Sequence, residues 1–151
     1  FLLIQWLAPL ASEAPELLVA GLYAWRLNTN AALGTLVSSK VNQWTLLVGA
    51  LPVAFMVASG AMVGLPLDAR QSEELFLTSA QSLLATMLII DLDFSRTEAV
   101  FLTGAFAVQL FFPDAEVRLA FGVLYIVMFV GLMVHSRSRR QAFFALLGFR
   151  R

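Results

Sequence analysis

Five long apolar runs, joined by short polar links, constrain this sequence more than anything else in it. They cover residues 1–27, 31–60, 75–92, 97–112 and 117–135. A helix needs about 20 apolar residues to cross the hydrocarbon layer of a bilayer. Backbone groups in lipid must pair with one another, which leaves helices or a closed barrel. Apolar runs without strict alternation exclude the barrel. Of the 151 residues, 60% are hydrophobic and 13% charged; soluble domains carry about a quarter charged residues. No soluble core of this size hides so much apolar surface. The expected fold is all-α: a polytopic transmembrane bundle of about five spans, with the lipid bilayer as its surroundings.

The links Arg26–Asn30, Leu65–Glu74, Asp93–Arg96 and Pro113–Glu116 carry much of the charge. Short links between long helices give antiparallel neighbours. Pro66, Pro113 and the Asp-Leu-Asp at 91–93 read as stops. The formal net charge is zero, so no nucleic-acid partner is expected. There is no cysteine, hence no disulfide or thiol chemistry, and one histidine, His135, too few for a histidine metal site. The chain opens at Phe1 inside an apolar run without a basic leader, and reads as part of something longer.

Two parts are expected: a transmembrane domain over 1–135 and a basic tail over 136–151. Five of the ten basic residues lie in the tail, as Arg137, Arg139, Arg140, Arg150 and Arg151, with phenylalanines and leucines between. The positive-inside rule puts it in the cytoplasm, below a plasma (inner) membrane. Residues 140–151 read as an amphipathic helix on anionic lipid or as an ordinary basic end. Counting back, the first, third and fifth segments run inward.

Charges inside a membrane are expensive and mark function. Three occur here: Glu13, Glu16 and Lys40, all at polar interruptions of the first two segments. Pro15 removes an amide and is expected to kink or break the first helix. The second is interrupted over Ser38-Ser39-Lys40-Val41-Asn42-Gln43. Broken helices near the midplane are how transporters build ion sites. Glu13 and Glu16 are three apart and share a helix face. Ser12, Ser39, Asn42 and Gln43 add hydroxyl and amide oxygens, the ligand chemistry of hard cations. Lys40 reads either as the buried partner of Glu13, pinning two helices, or as a modulator of the site. One lysine cannot neutralise two carboxylates, so Glu16 is left to bind a cation or a proton.

The run Ala11-Ser12-Glu13-Ala14-Pro15-Glu16 resembles the Gly-Thr-Ser-x-Pro-Glu kink of the sodium/calcium exchanger, or cation/calcium antiporter, superfamily. Gly34 to Gln43 resembles that family's Gly-Asn-x-x-Gly-Ser-Asn-x-x-Asn/Asp helix. The polar turn Asn28-Thr29-Asn30 lies between them, and the resemblance covers residues 8–50. It implies two inverted five-helix repeats, of which this chain, by the inward run of its first segment, would be the second. It implies that Ser12, Glu16, Ser39 and Gln43 face the ions, with Glu16 and Gln43 as metal ligands; Glu13, on the same helix face as Glu16, is expected among the ion-binding residues. Glu13 stands where the family has serine, and Lys40 where it has asparagine.

The expected function is secondary cation antiport by alternating access: Na⁺/Ca²⁺, Ca²⁺/H⁺ or Na⁺/H⁺ exchange. A positive Lys40 in the site would favour the monovalent pair. No enzymatic activity and no cofactor are expected, only transported Na⁺, Ca²⁺ or H⁺. The expected partner is the other α-repeat, on the same chain or a second one. The alternative is a non-transporting membrane subunit that keeps the repeat as scaffold; an intramembrane acid–base enzyme lacks a nucleophile. Lys40, Asn42 and Gln81 are expected to modulate or line the site. Other polar residues in the third and fourth segments read as interhelical hydrogen-bonding groups. Trp25 reads as an interface anchor, and Trp6 and Trp44 as anchors or site-lining residues.

Overall fold

Helices form where the apolar runs lie, and capping residues extend them. The computed structural model describes residues 2–91, 94–112 and 114–148. The expected stops Asp93 and Pro113, the tail residues Phe149, Arg150 and Arg151, and the Trp6 side chain lie outside the described residues. The helices are α1 (Leu2–Trp25), α2 (Thr29–Asn42), a π-helical segment (Gln43–Val48), α3 (Ala50–Ser59), α4 (Ala69–Ile89), α5 (Arg96–Phe111), α6 (Ala115–His135) and α7 (Arg137–Leu146). Among the described residues there is no β-strand. The chain divides into two compact units, Phe1–Pro66 and Leu67–Arg151.

In the first unit α1 and α2 form a hairpin closed by three residues, Arg26, Leu27 and Asn28. Leu27 adopts the left-handed region, at φ 56°. This lets the Leu27 amide donate to the Ala24 carbonyl (2.9 Å) and the Asn28 amide to the Tyr23 carbonyl (2.9 Å). That pattern satisfies the last carbonyls of α1. Asn28 then caps α2, its Oδ1 accepting from the Ala31 amide at 3.2 Å. Ala20 and Ala32 are buried, small enough to let two helices approach closely. The helical run of α1 passes through Pro15 from Leu2 to Trp25, so the proline ends no helix. Its cost there is one absent amide opposite the Ala11 carbonyl. The interruption expected in the second segment is a change of winding. The π segment begins at Gln43, and the Gly49 amide reaches back five residues to the Trp44 carbonyl at 3.0 Å. Gly49 is needed at its end: a Cβ there would sit 2.5 Å from the Thr45 carbonyl oxygen.

In the second unit α4 packs along α6. The third segment starts earlier than its apolar run, because Asp68 and Gln71 form a reciprocal capping box that makes Ala69–Glu74 helical. Ser95 and Glu98 do the same for α5. The core holds Ala80, Leu84, Leu88, Ala105 and Tyr125, and Gln109 donates from α5 to the Tyr125 hydroxyl within it. Ion pairs close both ends. Arg118 meets Glu73 at 2.8 Å, where α6 and α4 begin. Arg139 of α7 meets Asp91 at 2.8 Å and Glu98 at 2.9 Å, where α4 ends and α5 begins. Asp91, read from the sequence as part of a helix stop, is thus paired, and that hydrogen bond is the largest influence raising the Arg139 pKa. α4 and α6 therefore run parallel, and Glu73 and Asp91 are separated by about 27 Å of chain rise. Between the two charged ends, Leu119, Val123, Val127, Val130 and Val134 form one apolar stripe on α6, each at least 50% exposed. Water does not suit such a face, and lipid does. Thr29–Ser59 and Ala115–His135 are each long and apolar enough to cross a membrane.

Three substitutions test these readings. Leu27→Asn, a residue that tolerates the left-handed region, is expected to stabilise the hairpin by about 1 kcal/mol in detergent unfolding. Gly49→Ala is expected to destabilise by about 1–3 kcal/mol through backbone displacement. Gly21→Ala, where a Cβ meets nothing within 4 Å, should not destabilise. Equal behaviour of the two glycine variants would contradict the close approach at Gly49.

Candidate functional site

The hairpin of the first unit carries an open cleft of about 920 Å³. Glu16 and Tyr23 line it from α1, and Thr35, Ser38, Ser39, Asn42 and Thr45 from the α2 side. The antiparallel crossing brings residue 16 opposite the polar middle of the second segment. The lining of α2 recurs every three or four residues, so it is one helix face. Among the described residues, Glu16 supplies the only formal charge in the lining. Its Oε2 is buried and has no hydrogen-bond partner among the described residues. A buried carboxylate oxygen without a donor is costly, and a bound cation or proton relieves the cost.

Next to the cleft the two motifs touch directly. Gln43 donates through Nε2 to Oε1 of Glu13, and both side chains are half-buried. Lys40 is exposed and forms no ion pair among the described residues. The pairing of Lys40 with Glu13 is therefore not what joins the helices. Lys40 is also absent from the residues that line the cleft.

The expected site residues are thus distributed. Glu16, Ser39 and Asn42 share the cleft. Glu13 and Gln43 form the adjoining contact. Ser12 is exposed on α1, and Trp44 is half-buried outside the lining. Gln81 belongs to the second unit, half-buried on α4. Tyr23, Thr35, Ser38 and Thr45 were not singled out from the sequence. Extending the period from Ser39 and Asn42 in both directions finds the α2 members. The oxygen chemistry suits a hard cation, but Ca²⁺ takes 6–8 oxygen ligands. Among the described residues no three acidic, histidine or cysteine side chains cluster.

The crystal structure of an H⁺/Ca²⁺ exchanger, CAX, is similar to this chain over 96% of its residues, with 43% sequence identity and a TM-score of 0.83. The chain spans 38% of the length of that exchanger chain. No protein-family model matches the chain, and no curated protein does.

The Glu13–Gln43 contact is expected to carry about 1 kcal/mol of coupling, as interhelical hydrogen bonds in lipid do. A double-mutant cycle of Glu13→Ala and Gln43→Ala, read by unfolding in detergent, measures it. Lys40→Gln should leave stability within about 0.5 kcal/mol. A larger loss from Lys40→Gln than from Glu13→Ala would restore the lysine to the helix contact.

Proposed function

Because the chain belongs to the cation/calcium exchanger superfamily of integral membrane proteins, we propose that it forms one repeat of an alternating-access antiporter exchanging Ca²⁺ for H⁺ at Glu16. The observation that carries this reading is the buried, unpartnered Oε2 of Glu16 in an oxygen-lined cleft. Such an oxygen is stable with a proton or with a cation, and exchange is the alternation between the two. The similarity to an H⁺/Ca²⁺ exchanger supports this ion pair. So does the exposed position of Lys40, since a fixed positive charge in the cleft was the reason to favour monovalent ions.

One carboxylate with hydroxyl and amide oxygens does not complete a Ca²⁺ shell. The remaining ligands come, in this reading, from a second repeat, on the same chain or another. α7, with Arg137, Arg139 and Arg140, then lies on the cytoplasmic side of a plasma (inner) membrane.

The test is Ca²⁺ uptake by the full-length protein in proteoliposomes under an imposed pH gradient. Glu16→Gln is expected to lower uptake at least 100-fold while the protein still inserts and keeps its melting temperature. Unchanged uptake in the variant would overturn the assignment of Glu16. Uptake of Na⁺ instead of Ca²⁺ would overturn the ion pair. A folded protein that moves neither ion would favour a scaffold role.

A further inference from the structure

The cleft is longer than one ion. Thr35 lines it from α2 and Thr45 from the π segment that follows, with Glu16 facing the same cleft from α1. Ten residues of helix separate the two threonines, about 15 Å, or half the hydrocarbon thickness. No single cation touches both. Between them, Ser38, Ser39 and Asn42 fill the intervening turns.

The hydroxyl chemistry at the two ends is the same. Thr35 Oγ1 donates to the Ala31 carbonyl at 2.9 Å, and Thr45 Oγ1 donates to the Val41 carbonyl at 2.6 Å. A hydroxyl has one proton. With that proton committed to its own helix, each oxygen has only lone pairs left for the cleft. Such a group repels anions and other acceptors and attracts cations. The polar spacing of one turn, about 5 Å, lets a partly dehydrated ion leave one oxygen as it meets the next.

We propose that Thr35 and Thr45 are transit ligands, through which a divalent cation passes on its way to and from Glu16. The proposal rests on the reading of Glu16 as the exchange site. Glu16 holds the ion at equilibrium; the threonines lower the barriers on either side of it. Removing a threonine oxygen therefore slows passage and leaves equilibrium binding intact.

The experiment compares Thr35→Val and Thr45→Val, which keep the branched shape and remove the oxygen, with Thr35→Ser and Thr45→Ser, which keep it. The full-length protein is assayed for pH-driven Ca²⁺ uptake in proteoliposomes, and for equilibrium Ca²⁺ binding and melting temperature in detergent. Each valine variant is expected to turn over about tenfold more slowly, with unchanged Ca²⁺ affinity and melting, and each serine variant to recover the rate. Valine variants that transport at the original rate would overturn the proposal. So would valine variants that lose affinity or melt early, since these mark a binding or structural role. Glu16→Gln run in parallel separates the two levels: Ca²⁺ exchange surviving in that variant refutes the exchange site itself, whatever the threonines do.

Discussion

A carboxylate placed among apolar helices has to be neutralised, and the first unit is organised around how that is done for two of them. Glu13 accepts a hydrogen bond from Gln43 across the hairpin. Glu16, one turn further along α1, has an oxygen buried without any donor. The first carboxylate is used to join helices and the second is left open to the cleft. In the proposed reading, that oxygen is held for a proton or a cation that arrives and leaves. The short Leu27–Asn28 closure keeps α1 and α2 in register for this, and Ala20 and Ala32 let them come close.

The second unit answers a different constraint. Its charges lie at the ends of helices, as Arg118 with Glu73 and Arg139 with Asp91 and Glu98, and its exposed apolar stripe lies between. Arg139 joins three helices at once: α7, the end of α4 and the start of α5. The basic segment after α6 is thus partly built into the helix bundle. α7 is helical over Arg137–Leu146, and of its three arginines Arg139 is spent on protein carboxylates.

Much of this was legible in the sequence. The five runs became helices near the expected bounds, because apolar length is a direct requirement of the bilayer. Glu16, Ser39 and Asn42 share a cleft because two motifs on an antiparallel hairpin must meet at their middles. Other features were not legible, for stated reasons. The Asp68 and Ser95 caps were hidden in links that looked like loops by their charge. Pro15 reads as a break, yet a helix in lipid has strong reason to continue through it. The direction of Lys40 depends on a few tens of degrees of helix rotation, which letters do not show. Thr35 and Thr45 have no charge to draw attention, and only the cleft shows their common face.

The central claim is that one carboxylate takes a proton and a cation in turn. Calorimetry of Ca²⁺ binding to the full-length protein in lipid nanodiscs, repeated in buffers of different ionisation enthalpy, counts the protons released. The account predicts proton release on Ca²⁺ binding that disappears in Glu16→Gln. Ca²⁺ binding with no proton release at any pH from 5 to 8, the range that physiological titrations cover, would contradict it.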